Sequence, residues 1–205
     1  MCDDAVSVAD RKHIILDAAI SVIARKGLGG LRVEEVAERA GVAVSLLYYH
    51  FDNRRGLVRA TLEHANERAA QTIKDLSADQ RTGAELIITM LLAELEDPAQ
   101  ARELSVLWSE VMASAFFDPS LRDQLAEASD RWAALVADAV WRGQEDGSIG
   151  ALTAPADLAA LLTSMVDGLS ARWLAGLITR ERARELLAMS VMSMLGIHHA
   201  TVSRP

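Results

Sequence analysis

Residues 31–58 read LRVEEVAERAGVAVSLLYYHFDNRRGLV, and this stretch decides the fold. Its apolar spacing predicts a short helix from Val33 to Ala40 that stops at Gly41, then a second from Ala43 to His50. Two helices joined by so short a turn must cross closely. The contact position on the first has to be small, as Ala37 is, and the turn needs a residue tolerant of positive φ, as Gly41 is. Val36, Val42 and Leu47 then close a small core beneath the pair. That leaves the second helix free to enter a DNA major groove, the geometry of a helix-turn-helix.

Working outward, Ile14, Ala18, Val22 and Ile23 repeat at helical spacing and predict a helix from Val8 to Lys26. Asp10, Arg11, Lys12 and Asp17 mark its wet side, and Gly27, Gly29 and Gly30 end it. Asp52-Asn53 offers a cap for a fourth helix reaching Leu76, followed by a polar loop from Ser77 to Thr82. Further helices are expected over Gly83–Glu96, Pro98–Phe116, Pro119–Gln144, Pro155–Ala175 and Thr179–Leu195. Pro98, Pro119 and Pro155 stand where helices open, the position proline tolerates. There is no strand pattern and no internal repeat. The fold class is therefore all-α, with about nine helices. A three-helix DNA-binding domain is placed at residues 8–55, and a helical ligand-binding and dimerisation domain at residues 56–198.

The net charge of −8 seems to argue against nucleic acid until it is divided along the chain. Residues 1–66 carry nine Lys/Arg and nine Asp/Glu, so the whole excess lies in residues 67–205. A neutral segment contacts phosphate if its basic residues share a face, and Arg32, Arg54 and Arg55 are candidates. Cys2 is the sole cysteine, which leaves no disulfide or zinc framework and favours a reducing, cytoplasmic setting with Cys2 inert in a polar tail. The first ten residues hold three aspartates and no basic n-region, so no signal peptide is expected. The apolar run Leu86–Ala93 is too short to span a bilayer, and Leu158–Ile178 carries Asp167 and Arg172 and suits a buried soluble helix. His13, His50, His64, His198 and His199 are scattered, with no nucleophile–base pair, phosphate loop or metal cluster. No enzyme, cofactor or metal is expected.

The quoted stretch resembles the DNA-binding segment of the TetR family of transcriptional repressors. Leu47-Tyr48-Tyr49-His50-Phe51 and Asn53-Arg54-Arg55-Gly56-Leu57 carry that resemblance most closely. LWSEVMASAFFDPSLRDQL and MVDGLSARWLAG, further on, are similar to the branch that includes the choline-responsive BetI repressors. The resemblance implies a recognition helix with Ala43, Val44, Ser45 and Leu46 at its leading end. Ser45 is then expected to hydrogen-bond a base or phosphate, and Val44 and Leu46 to meet thymine methyl groups. Tyr48, Tyr49 and His50 are expected at phosphates or beneath the helix, Phe51 in the core, and Arg54 at a phosphate. The family often has Thr where this chain has Arg32, and Ser or Thr where it has Ala43. Arg32 adds a candidate phosphate contact, whereas Ala43 removes a cap worth roughly 0.5–2 kcal/mol.

Toward the C-terminus, Ser164, Gly168, Ala171 and Ala175 form a small-residue stripe flanked by Leu161, Met165, Leu169 and Trp173. With Leu187, Val191 and Met194 of the last helix, this face suits a four-helix bundle between two copies of the chain. Trp108, Met112 and Phe116 fall at i, i+4 and i+8, and together with Ser109, Trp132 and Met165 they are the candidates for a small-molecule pocket. Ser105 and Glu110 are further polar candidates there, and tryptophans beside a carboxylate favour a cationic ligand. The expected function is a dimeric repressor that binds a palindromic operator in double-stranded DNA and is released by a small-molecule effector. A ligand-dependent activator on the same fold and a helical protein-binding adaptor are the alternatives.

Overall fold

The computed structural model describes residues 8–77, 82–96 and 99–196, and every regular element among them is helical. In order these are α1 (Val8–Lys26), α2 (Val33–Ala40), α3 (Val44–Phe51), α4 (Arg54–Ser77), α5 (Gly83–Ala93), α6 (Ala99–Ala115), α7 (Pro119–Glu145), α8 (Pro155–Leu174) and α9 (Arg180–Met194). A single 3-10 turn, Leu28–Gly30, follows α1. The all-α class, with nine α-helices among the described residues, is as expected. Cys2, residues 78–81 of the polar loop, Pro98 and His198-His199 lie outside the described residues.

Two boundaries moved for local reasons. α3 opens at Val44 because Ala43 is extended (φ −72°, ψ 143°) and has no hydroxyl to cap the helix. α5 stops at Ala93 rather than Glu96, because the chain tightens into a turn in which Leu95 N–H donates to the Leu92 carbonyl at 3.1 Å. That turn drives Leu95 fully into the interior.

The chain divides into two compact units. The first holds α1, α2, α3 and α4 up to Ala69, together with Glu103–Ala128 of α6 and α7. Ile15, Ala19 and Val22 of α1, Val36 of α2, Leu47 of α3 and Leu57 and Leu62 of α4 form its core, joined by Leu107 and Val111 of α6. This unit thus extends well past the 55/56 boundary drawn from sequence. Asp17 Oδ1 of α1 ties α4 down, accepting from Arg68 Nη1 at 2.8 Å and lying 3.0 Å from His64 Nε2.

The second unit takes Ala70–Arg102 and the chain from Ser129 onward. Ile87 and Met90 of α5, Val136 and Val140 of α7, Leu158 and Leu162 of α8 and Leu187 and Val191 of α9 fill its core. α5 begins with a reciprocal cap. The Thr82 hydroxyl accepts from Glu85 N–H at 3.2 Å, and Glu85 Oε2 accepts from Thr82 N–H at 3.1 Å. Losing the Thr82 hydroxyl leaves helix N–H groups without an acceptor. Thr82→Ala is therefore expected to lower the unfolding free energy by about 1 kcal/mol, read as a shift in the urea midpoint with unchanged slope. An unchanged midpoint would remove the cap from the account.

Candidate nucleic-acid interface

The interface is built on the turn between α2 and α3. Gly41 adopts the left-handed conformation (φ 67°, ψ 34°) that the turn requires. Val42 N–H reaches back to the Ala37 carbonyl at 3.0 Å, closing the end of α2. Ala37 is buried at the crossing. Beyond the turn, α3 sinks Leu47 (1% exposed) and Phe51 (5% exposed) into the core. Asp52 closes α3 at a positive φ (58°), a sign that aspartate adopts more often than most non-glycine residues. Asn53 Oδ1 then accepts from Gly56 N–H at 3.0 Å and opens α4, the capping role expected from sequence.

With two side chains buried, α3 turns others outward. Ala43 and Ser45 are exposed, as are Tyr48 (47%) and Tyr49 (79%). Val44, Leu46 and His50 are half-buried, and Val44 and Leu46 pack partly against the core. Those two therefore offer less side chain to a thymine methyl than the sequence suggests. Arg32 is exposed at the N-cap of α2 and makes no side-chain cap.

Arg54, expected at a phosphate, is exposed and donates Nε to the Leu31 carbonyl at 3.1 Å and Nη2 to the Leu28 carbonyl. The guanidinium fork at the start of α4 thus meets two carbonyls of the link between α1 and α2. Glu110 of α6 holds the same link from its other polar side, its Oε2 accepting from Leu28 N–H at 2.8 Å. Glu110 is thus tied to the link between α1 and α2. Glu103 Oε1 likewise accepts from Ser21 Oγ at 2.8 Å. Both contacts join residues far apart in sequence, so no local pattern could reveal them.

An open cleft of about 710 Å³ runs beside the turn, between Arg11 and Ile14 of α1 and Ala43, Ser45 and Tyr49 at the start of α3. Sequence periodicity left Arg11 on the solvated side of α1 and missed this. What could have flagged it is its place in the first turn of a helix preceding a helix-turn-helix.

The six residues expected to line an effector pocket are divided between the two units. Trp108, Ser109, Met112 and Phe116 belong to the first. Trp108 packs against the core beneath the helix-turn-helix, Ser109 Oγ donates to the Ser105 carbonyl at 2.9 Å, Met112 is half-buried and Phe116 is 74% exposed. Trp132 and Met165 pack, half-buried, against the core of the second unit. In that unit two acids interact that the sequence did not single out. Burial pushes the Glu94 carboxyl up to about 7, and the charge of Asp167 adds to the effect. Burial raises Asp167 as well.

The sign of the resulting pH dependence follows directly. Folded Glu94 holds its proton up to about 7, whereas in the unfolded chain it ionises near 4.5. Its neutral form supports the fold fully below 4.5, and that support is lost as the pH climbs through about 7. Urea unfolding at pH 5 and pH 8 is expected to show wild type losing more stability than Glu94→Gln on going to the higher pH. Equal losses would contradict the burial argument.

On the expected dimer face, Ser164, Gly168, Ala171 and Ala175 all lie exposed along α8, beside Leu161 (54% exposed). Leu187 and Val191 depart from the expectation. At 0% and 1% exposure they fill the core of their own unit, so a second chain cannot reach them. Met189 (59%) and Met194 (42%) are the apolar side chains that α9 exposes. Among the described residues no cluster of His, Cys, Asp or Glu is arranged to hold a metal, and no helix is long and apolar enough to cross a membrane.

Residues 15–61 match the family of bacterial regulatory proteins, tetR family, and residues 83–196 match the BetI-type transcriptional repressor C-terminal family. A TetR-family transcriptional regulator of known structure from Rhodococcus sp. is 37% identical, with a TM-score of 0.85 over 92% of this chain and 100% of that one. A transcriptional regulator from Saccharomonospora viridis, solved in complex with choline, shares the fold at 22% identity, with a TM-score of 0.78 over 90% of this chain and 96% of that one. By sequence, the HTH-type transcriptional regulator BetI of Burkholderia thailandensis is 23% identical over 113 residues, 55% of this chain and 58% of that protein. The regulator YvkB of Bacillus subtilis is 33% identical over 82 residues, 40% and 43% of the two chains. The chain spans about half the length of these two sequence relatives. With both of its parts matched and one neighbour alike over its whole length, the chain belongs to the TetR family of bacterial transcriptional regulators, in the branch with a BetI-type C-terminal part.

Proposed function

We propose that the protein is a cytoplasmic repressor that binds a palindromic operator as a homodimer and lets go when a small molecule binds. Residues 8–55 serve as the DNA reader, and residues 56–198 sense the effector and pair the subunits. The observation that carries this is α3, whose buried Leu47 and Phe51 leave Ser45, Tyr48 and Tyr49 facing outward on a rigid seat. A helix held that way presents its hydroxyls and rings to base edges and phosphates.

Pairing draws support from Gly168. It lies inside α8, where glycine costs about 1 kcal/mol against alanine, yet an added Cβ would meet nothing within 4 Å in its own chain. Packing within one subunit therefore gives no reason for a glycine there, whereas close approach of a second α8 does. Gly168→Leu is expected to leave the subunit folded by circular dichroism and shift it from dimer to monomer in analytical ultracentrifugation. A dimer that tolerates leucine at this position would place the interface elsewhere.

For the effector, the S. viridis regulator's choline makes organic cations the first class to screen. Glu94 and Asp167 lie in the same unit as Trp132 and Met165, which fits such a ligand. The function is tested by fluorescence anisotropy with duplexes from the chain's own promoter region. Affinity is expected to fall by a factor on the order of 1,000 or more between about 50 and 200 mM salt. No binding at low salt would overturn the proposal.

A further inference from the structure

The cleft beside the helix-turn-helix has an uneven chemistry. Among the described residues that line it, Arg11 is the sole charged one and none is a carboxylate, and Ser45 and Tyr49 contribute hydroxyls from the α3 side. Ile14, Val42 and Leu46 supply apolar walls. Among the other described cations of this unit, Arg25 and Lys26 pair with Glu35, Arg59 with Glu63 and Arg68 with Asp17, and Arg54 holds backbone carbonyls, whereas Lys12, Arg32, Arg39 and Arg55 form no ion pair but do not line the cleft. Arg11 is exposed, and among the described residues neither an ion pair nor a hydrogen bond ties its guanidinium down.

We propose that Arg11 is a DNA-contact residue, and that the cleft between α1 and the start of α3 receives a backbone phosphate of the bound duplex. A guanidinium matches the geometry of phosphate oxygens with two parallel N–H donors, and the hydroxyls of Ser45 and Tyr49 stand across the same cleft. The assignment rests on the DNA-binding function proposed above. It adds to that function a contact from outside the helix-turn-helix, one that sets how α3 sits in its groove without reading sequence.

The test uses duplexes selected from a random pool by the wild-type, full-length protein. Binding of wild type, Arg11→Gln, Arg11→Lys and Lys12→Gln is then measured across a salt series. Each lost phosphate contact lowers the slope of log affinity against log salt by about 0.9, so Arg11→Gln in a dimer is expected to lower it by about 1.8. Arg11→Lys is expected to keep most of the slope. Lys12→Gln, next to Arg11 but outside the cleft, is expected to keep all of it. Sequence preference is expected to be the same in every variant. A wild-type slope in Arg11→Gln would overturn the assignment while leaving DNA binding intact. If the wild type selects no duplex at all, the assignment falls together with the function it rests on.

Discussion

Gly83→Ala is expected to cost the protein about 3 kcal/mol of stability, although it adds a single methyl group. The new Cβ would stand 2.2 Å from the Gly143 nitrogen, 2.3 Å from the Gly143 Cα and 2.7 Å from the Ala139 carbonyl oxygen. All three are backbone atoms of α7, so no side chain can swing aside to make room. The start of α5 is also fixed there by hydrogen bonds, Gly83 N–H to Asp146 Oδ2 at 2.7 Å and Ala84 N–H to Ser148 Oγ at 3.1 Å. Relief requires the helices to part and those bonds to stretch, which places the substitution at the upper end of the 1–3 kcal/mol typical of overpacking, about 3 kcal/mol. Gly150→Ala, where an added Cβ meets nothing within 4 Å, is the matched control and is expected to change little. Urea denaturation of the two variants separates the cases. Similar midpoints would mean that α5 and α7 do not approach as described.

Leu47→Ala is expected to destabilise the first unit by about 2–5 kcal/mol, the range for deleting a fully buried leucine side chain. The functional consequence should be larger than the stability loss alone predicts. Leu47 and Phe51 are the two buried anchors of an eight-residue helix, and α3 has no side-chain cap at its start. Its position therefore depends on packing more than on helix propensity. With Leu47 gone, α3 is expected to lose its fixed orientation, and duplex affinity to drop at temperatures where the protein is still mostly folded. Circular dichroism melts and anisotropy on the same samples distinguish the two effects. Affinity that merely tracks the folded fraction would show that α3 holds its place without this anchor.

Much of the architecture is legible in the sequence, because periodicity and helix-end chemistry are local. α1 and α2 begin and end where the apolar spacing and the following glycines put them. Pro119 and Pro155 open α7 and α8, and Gly41 supplies the left-handed turn that identifies the motif. What escaped is long-range. Periodicity shows that Leu187 and Val191 share the apolar stripe of α9, but a stripe looks the same whether it packs on its own chain or on a second one. In the structure it packs inward, and Met189 and Met194 are the apolar residues left outside. Arg54 presents the same ambiguity for charge. A basic residue at the start of α4 suits a phosphate, and nothing local shows that its guanidinium also donates to the Leu28 and Leu31 carbonyls. Trp108 and Glu110 suggest a ligand cage because they are bulky and acidic on one helix. Their partners, the core below α3 and the N–H of Leu28, belong to segments far earlier in the chain, Leu28 by 82 residues.

The account turns on α3 entering DNA as one of a matched pair. The most direct measurement is a hydroxyl-radical footprint of the protein on a duplex it selects. Two equivalent protected patches are predicted, related by a two-fold axis and centred about 34–36 Å apart along one face of the helix. A single, asymmetric patch the length of one half-site would contradict it.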